Sequence, residues 1–194
     1  MNAWRDAPTL TGRHVTLRPL WREDRAELLE AFAGLQGQFT TTVPNAESID
    51  AWYERLGNER AAGRAMPFTV LDCRGRVSGT TRFLRMAEGH QRLEIGGPLF
   101  APRVQRTGLN TEAKLMLLAH AFDTLDVGCV QLRTDYLNRA SRRAIERLGA
   151  RLDGVLRGHM RLGEHVRDTA VYSILAHEWP GVRRNLVALL EKHP

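Results

Sequence analysis

Lysine is nearly missing from this 194-residue chain: its 28 basic residues include only Lys114 and Lys192, which leaves 26 arginines. With a net charge of +6 the surface favours an anionic partner. No basic run interleaved with aromatics appears, so the charge does not single out nucleic acid. Cysteine is scarce too. Cys73 and Cys129 have neither metal-ligand spacing nor a disulfide framework, and each sits in an apolar, strand-like run that predicts a small core residue. Long apolar runs are absent. The longest, around Leu115 to Ala119, is far too short to span a bilayer, so no membrane partner is expected. Met1 to Asp6 lack the basic-then-apolar layout of a signal peptide, which makes the cytoplasm the default location. There are no internal repeats and no low-complexity linker. One domain over 1–194 is the expectation, long enough to bury a core without disulfide or metal staples.

The patterning that is present alternates between strand and helix periods. Val15 and Leu17 share one face of a strand closed by Pro19. Arg22 to Phe32 reads as an amphipathic helix, and Ser48 to Ala62 as a second with Ile49, Trp52, Tyr53 and Leu56 on its stripe. Between them lies a looser stretch with two glycines and Pro44. Phe68 to Cys73 and Arg76 to Met86 form a hairpin around Arg74-Gly75. A further strand, Arg92 to Ala101, contains Gly96-Gly97-Pro98. Proline lacks the amide donor and the glycines loosen the backbone, so this strand should bulge or splay near its middle. A helix from Leu109 to Leu125, a strand from Cys129 to Thr134 and a helix from Asn138 to Leu148 follow. The end is a hairpin of Leu152–Leu162 and Val166–Leu175, then a helix opening near Pro180. The C-terminal helix, with Leu186, Val187, Leu189 and Leu190, suits either core packing or a homodimer contact.

The junction Gln105-Arg106-Thr107-Gly108-Leu109-Asn110 lies between a strand and a helix. About four amides are free at a helix N-terminus, where the peptide dipoles add positive charge, so a phosphate is well received there. Gly108 permits close backbone approach, and Thr107 and Thr111 are candidate hydroxyl donors. This segment resembles motif A of the GCN5-related N-acetyltransferases, and the longer string Gln105 to Lys114 is similar to the ribosomal-protein N-acetyltransferase (RimJ/RimL-like) branch. Leu17-Arg18-Pro19-Leu20, Asn138 to Ala150, and Asp168 to Leu175 with Glu178-Trp179-Pro180 agree in order and spacing, so the resemblance covers about residues 10 to 182. The loop departs from the family pattern in being poor in glycine, with Asn110 as its second small residue.

The resemblance implies an α/β fold with a mixed, mostly antiparallel sheet of about seven strands, flanked by helices and splayed at a central strand. It implies acetyl-CoA as co-substrate and a primary amine as acceptor, with no metal. The pyrophosphate would meet Gln105, Arg106, Thr107, Gly108, Leu109, Asn110 and Thr111, with Arg142 within reach of a phosphate. The pantetheine arm would pair with backbone groups around Leu99, Phe100 and Ala101 and contact Asn138, with Ser141 near the thiol. Direct transfer needs a neutral amine, hence a base. Glu94, eleven residues before Gln105, is the candidate by family spacing, and partial burial would raise its pKa. Many relatives use a Tyr to protonate the leaving thiolate, but Ile145 stands at that position, which leaves Ser141 as the candidate acid. His120 falls on an apolar stripe that favours packing, and His159 is a further titratable group. The first two helices and the hairpin near Gly163 should shape the acceptor pocket. Two other readings remain at this point: a non-catalytic acyl-CoA-binding or regulatory protein on the same fold, and, on charge alone, a ribosome- or RNA-associated module.

Overall fold

The computed structural model describes residues 2–35 and 42–192. Its centre is an eight-stranded sheet in the order β1-β2-β3-β4-β5-β6-β8-β7. The strands are β1 (Leu10–Thr11), β2 (Val15–Pro19), β3 (Ala65–Asp72), β4 (Val77–Ala87), β5 (Arg92–Phe100), β6 (Cys129–Asp135), β7 (Arg151–Leu162) and β8 (His165–Leu175). The helices are α1 (Arg25–Phe32), α2 (Ile49–Ala61), α3 (Leu109–Ala119), α4 (Arg139–Arg147) and α5 (Trp179–Leu190). All neighbouring strands run antiparallel except β5 and β6. The count exceeds the expected seven by β1, whose two residues are too short to carry a periodic signal. Among the described residues no helix is long and apolar enough to cross a membrane.

Side chains alternate across a strand, so each face of the sheet collects its own core. On one face Phe83, Leu93, Ile95, Val130, Leu132, Tyr172 and Ile174 pack with Leu109, Ala113 and Leu117 of α3 and with Trp179, Val182 and Leu186 of α5. On the other, the α2 stripe Ile49, Trp52, Tyr53 and Leu56 joins Leu28 and Phe32 of α1. This second core covers only one end of its face. What remains open there is the polar set of alternate residues on β4, β5, β6 and β8. Helix α5 therefore uses Leu186 for core packing, and Val187 is its exposed apolar residue.

Cys73 departs from expectation. It lies past the end of β3 and is exposed, because the Asp72 carboxylate accepts from the amides of Arg74 and Arg76 and starts the turn early. Cys129, opening β6, is half-buried. His120 is packed as expected: it is buried and stacked on Phe83 at 6.0 Å, and burial lowers its pKa. From His120 to Thr124 the third helix widens into a π turn, so the expected span to Leu125 is not uniform α-helix.

Candidate functional site

The sheet opens between β5 and β6. Their parallel pairing ends at Glu94 opposite Gln131, although β5 continues to Phe100 and β6 to Asp135. The cause is local. Thr80 pairs with Leu99 but Arg82 with Gly96, so β5 holds one residue more than β4 across Gly96-Gly97-Pro98. Gly97 adopts φ +59, which a residue with a Cβ rarely takes. The bulge bends β5 away from β6 as the glycine-proline run predicts. A cavity of about 650 Å³ occupies the opening. It is lined by Glu94 and the bulge, by Asn110 and Lys114 of α3, by Asn138 and Ser141, and by Trp52, Glu59 and His159 toward the second face.

Glu94 sits at the apex of the opening and is 4% exposed. Its Oε2 lies 2.7 Å from Arg85 Nη1 and 3.2 Å from Arg133 Nε. Burial raises its pKa, opposed by the charges of Arg85 and Arg133. Arg85 reaches this position through a second irregularity. Leu84 pairs with Glu94 and Ala87 with Arg92, and Arg85 between them adopts φ 49. That kink turns Arg85 toward the face Glu94 occupies.

The strand end and loop are arranged as follows. Ala101 donates its amide to Ser78 O at 2.8 Å, so that group belongs to the β4 pairing. Antiparallel ladders alternate, which leaves Phe100 facing the opening, and its carbonyl accepts from Gln105 Nε2 at 3.0 Å. Leu99 is buried and lines the cavity. Gln105, Arg106 and Thr107 are exposed, and Arg106 carries φ 61. Gly108 precedes α3, and the first helical bond runs from Glu112 N to Gly108 O, so the amides before it lie outside the helical ladder. A Cβ on Gly108 would stand 3.1 Å from the His14 ring, so any larger residue there would have to displace that ring from the β1–β2 turn. Of the two expected hydroxyl donors, Thr107 is engaged elsewhere and Thr111 is buried. Thr107 Oγ1 donates to Val104 O at 2.7 Å, and Thr111, 1% exposed, accepts from Arg147 Nη2 at 3.3 Å. Leu109 is buried in the first core.

Asn138 caps α4, its Oδ1 accepting from Ser141 N at 3.0 Å. Both side chains line the cavity. Arg142 is not part of that lining: its Nε donates to Tyr172 OH at 2.9 Å and its guanidinium lies 4.5 Å from the Tyr136 ring centre. Ile145 is buried and lines the cavity. His159 lines it too, with Nδ1 2.9 Å from Thr169 Oγ1.

Lys114 escaped the sequence reading. It is buried, its Nζ has no hydrogen-bond partner, and burial lowers its pKa to about 8. Asn110 Oδ1, one helical turn before it, is also enclosed without a partner. Two unsatisfied polar atoms in the lining fit a cavity that receives a polar ligand. The available signal was a lone lysine on an apolar helix in an arginine-rich chain. Among the described residues no group of three or more His, Cys, Asp or Glu is placed to hold a metal ion.

Residues 14–151 match the acetyltransferase (GNAT) domain, and the chain belongs to that family. It resembles YoaA, an uncharacterized N-acetyltransferase of Bacillus subtilis (strain 168), at 32% identity over 97 residues. That match spans about half of either protein, 50% of this chain and 54% of YoaA. Over the whole fold it superposes on a GCN5-related N-acetyltransferase from Brucella melitensis with a TM-score of 0.87 at 28% identity, covering 95% of this chain and 86% of the other. Mycobacterium smegmatis RimJ, solved in complex with CoA-disulfide, shares the fold at a TM-score of 0.77 and 22% identity, covering 96% of each chain.

Proposed function

We propose that the protein transfers an acetyl group from acetyl-CoA directly to a primary amine. The observation that carries this reading is the β5–β6 opening, with the Gly96–Pro98 bulge on one side and the Asn138–Ser141 cap on the other. The CoA complex of the similarly folded RimJ supports acyl-CoA as the ligand. The pyrophosphate belongs at the exposed Gln105–Thr107 loop and the α3 amides, and the pantetheine between β5 and β6 beside Phe100, reaching Asn138. In this reading the amides of the bulge polarise the thioester carbonyl.

Glu94 then takes the proton of the acceptor ammonium, directly or through water. The free amine forms the C–N bond and the C–S bond breaks; the departing thiolate takes its proton from Ser141, which is restored by the proton the new amide nitrogen releases. Burial of Glu94 suits it to this work, since a carboxylate of ordinary pKa is too weak a base near neutrality. A location in the cytoplasm accords with an acetyl-CoA user.

The test has two stages. Acetyl-CoA is expected to raise the melting temperature, whereas RNA is expected to leave it unchanged. In turnover against an amine panel, Glu94→Gln is expected to lower kcat by about 10²-fold, the scale of general-base loss. Because burial raises the Glu94 pKa, wild-type activity should fall as pH drops through that elevated value, and the variant should lose this acid limb. Binding of acetyl-CoA without turnover of any amine would favour the non-catalytic alternative. An unchanged rate in Glu94→Gln at every pH would remove Glu94 as base.

A further inference from the structure

The charge balance of the cavity is one-sided. Arg55, Arg64, Arg82, Arg85, Arg133 and Arg167 line it on the side of α2 and the open sheet face. Against them the lining holds two carboxylates, Glu59 and Glu94. Glu94 is already shared by Arg85 and Arg133. Arg82 is different. Its Nε is enclosed with no hydrogen-bond partner, and among the described residues it forms no ion pair. The guanidinium lies across the bare backbone of Gly97, where a Cβ would come within 2.9 Å of its Cζ. Glu59 and Glu94 act on it only across space. A desolvated guanidinium with no carboxylate in contact is costly, and an anion drawn in with the ligand offsets that cost.

We propose that the acceptor amine carries a carboxylate a few bonds from its nitrogen, as an amino acid does, and that Arg82 receives that carboxylate beside the bulge. The proposal rests on the acetyltransferase reading and names the acceptor class for it. Arg82 and the bulge amides are neighbours, so a carboxylate held there keeps the amine close to the thioester carbonyl and to Glu94. The loop and α3 terminus that suit the cofactor phosphates approach from a different element, which separates the two anion sites. A polyamine would bring several positive charges into a lining that already has an excess of them, and like charges at close range oppose binding.

The experiment compares amino acids with the corresponding amines lacking the carboxylate, with acetyl-CoA saturating, and adds spermidine and a peptide with an N-terminal aspartate. The expected kcat/KM is at least about tenfold higher for the carboxylate-bearing member of each pair, the scale of one well-placed charge contact. Free amino acids and the peptide separate the two sources of such an amine. Arg82→Gln is expected to raise KM for the carboxylate-bearing acceptor by about tenfold or more and to collapse the preference, with KM for acetyl-CoA as in wild type. Arg82→Lys should keep part of the preference, and Arg74→Gln, in the exposed β3–β4 turn, all of it. Preference for spermidine or for the carboxylate-free amines would overturn the proposal, as would an Arg82→Gln effect on acetyl-CoA rather than on the acceptor. If no amine is turned over, the transferase reading fails by itself. Calorimetric titration of glutamate into CoA-loaded protein then decides the site: binding lost in Arg82→Gln upholds it, and absence of binding to wild type overturns it.

Discussion

Lys114 and Glu94 show how burial sets the chemistry of single residues in this cavity. An ammonium held at about 8 in the fold and near 10.5 in the unfolded chain binds its proton more weakly when folded. Below pH 8 the fold therefore bears the cost of charging a buried amine, and stability from this group rises as pH climbs from 8 to 10.5. The cost at neutral pH is on the order of 3 kcal/mol. Lys114→Met, measured by urea denaturation without acetyl-CoA, is expected to stabilise the protein at pH 7 by about 2 kcal/mol. The gain should shrink as the pH is raised toward 10, and equal midpoints at pH 7 would mean that the amine finds a partner in solution. Glu94 could be named from the family spacing, and the structure encloses it in the cavity. Its pairing with Arg85 was not legible, since the left-handed kink at Arg85 follows from a register shift that no periodicity reveals. Asn138 lies at the other extreme: a capping residue just before a helical stripe could be read directly, and it does cap.

At the scale of elements, the loop of residues 105–110 is held from behind. Glu112, in the first turn of α3, accepts from the amides of Arg13, His14 and Val15 at 2.9, 2.5 and 3.0 Å. A Cβ on Gly12 would meet that carboxylate at 2.5 Å. The β1–β2 turn thus fixes where α3 begins, through Glu112 and through the contact of His14 with Gly108. Glu112→Ala would leave three amides of the turn without their acceptor and is expected to cost about 3 kcal/mol or more of unfolding free energy. Gly12→Ala should lose part of that by displacing the carboxylate. A loss below about 1 kcal/mol in Glu112→Ala would show that water replaces the contact readily. The helices and long strands were legible because α2, α3, β2 and β8 each carry one clear period. The glycine-proline bulge was legible for the same local reason. The β1–α3 tie was hidden, because its partners are about a hundred residues apart and backbone amides carry no side-chain signal.

At the scale of the whole molecule, the +6 charge bears on rates of encounter. Acetyl-CoA carries several negative charges, and an oppositely charged surface speeds its approach until salt screens the field. The proposed acceptor pairs its carboxylate with an ammonium, so only an amino acid with a second carboxylate, such as glutamate, shares the net negative charge. Raising NaCl from about 20 to about 500 mM shortens the Debye length from roughly 20 Å to roughly 4 Å. With the acceptor saturating, KM for acetyl-CoA is expected to rise severalfold while kcat changes little, because the groups around Glu94 are enclosed and poorly screened. With acetyl-CoA saturating, KM for glutamate should rise as well, while that for the carboxylate-free amine, a cation near neutral pH, should not. This second comparison separates general attraction to the surface from a contact in the cavity. Arg82→Gln should raise KM for glutamate at both salt concentrations without altering the response of acetyl-CoA. If salt instead lowers kcat and leaves both KM values in place, the arginines serve the fold or the chemical step, and steering is not their role.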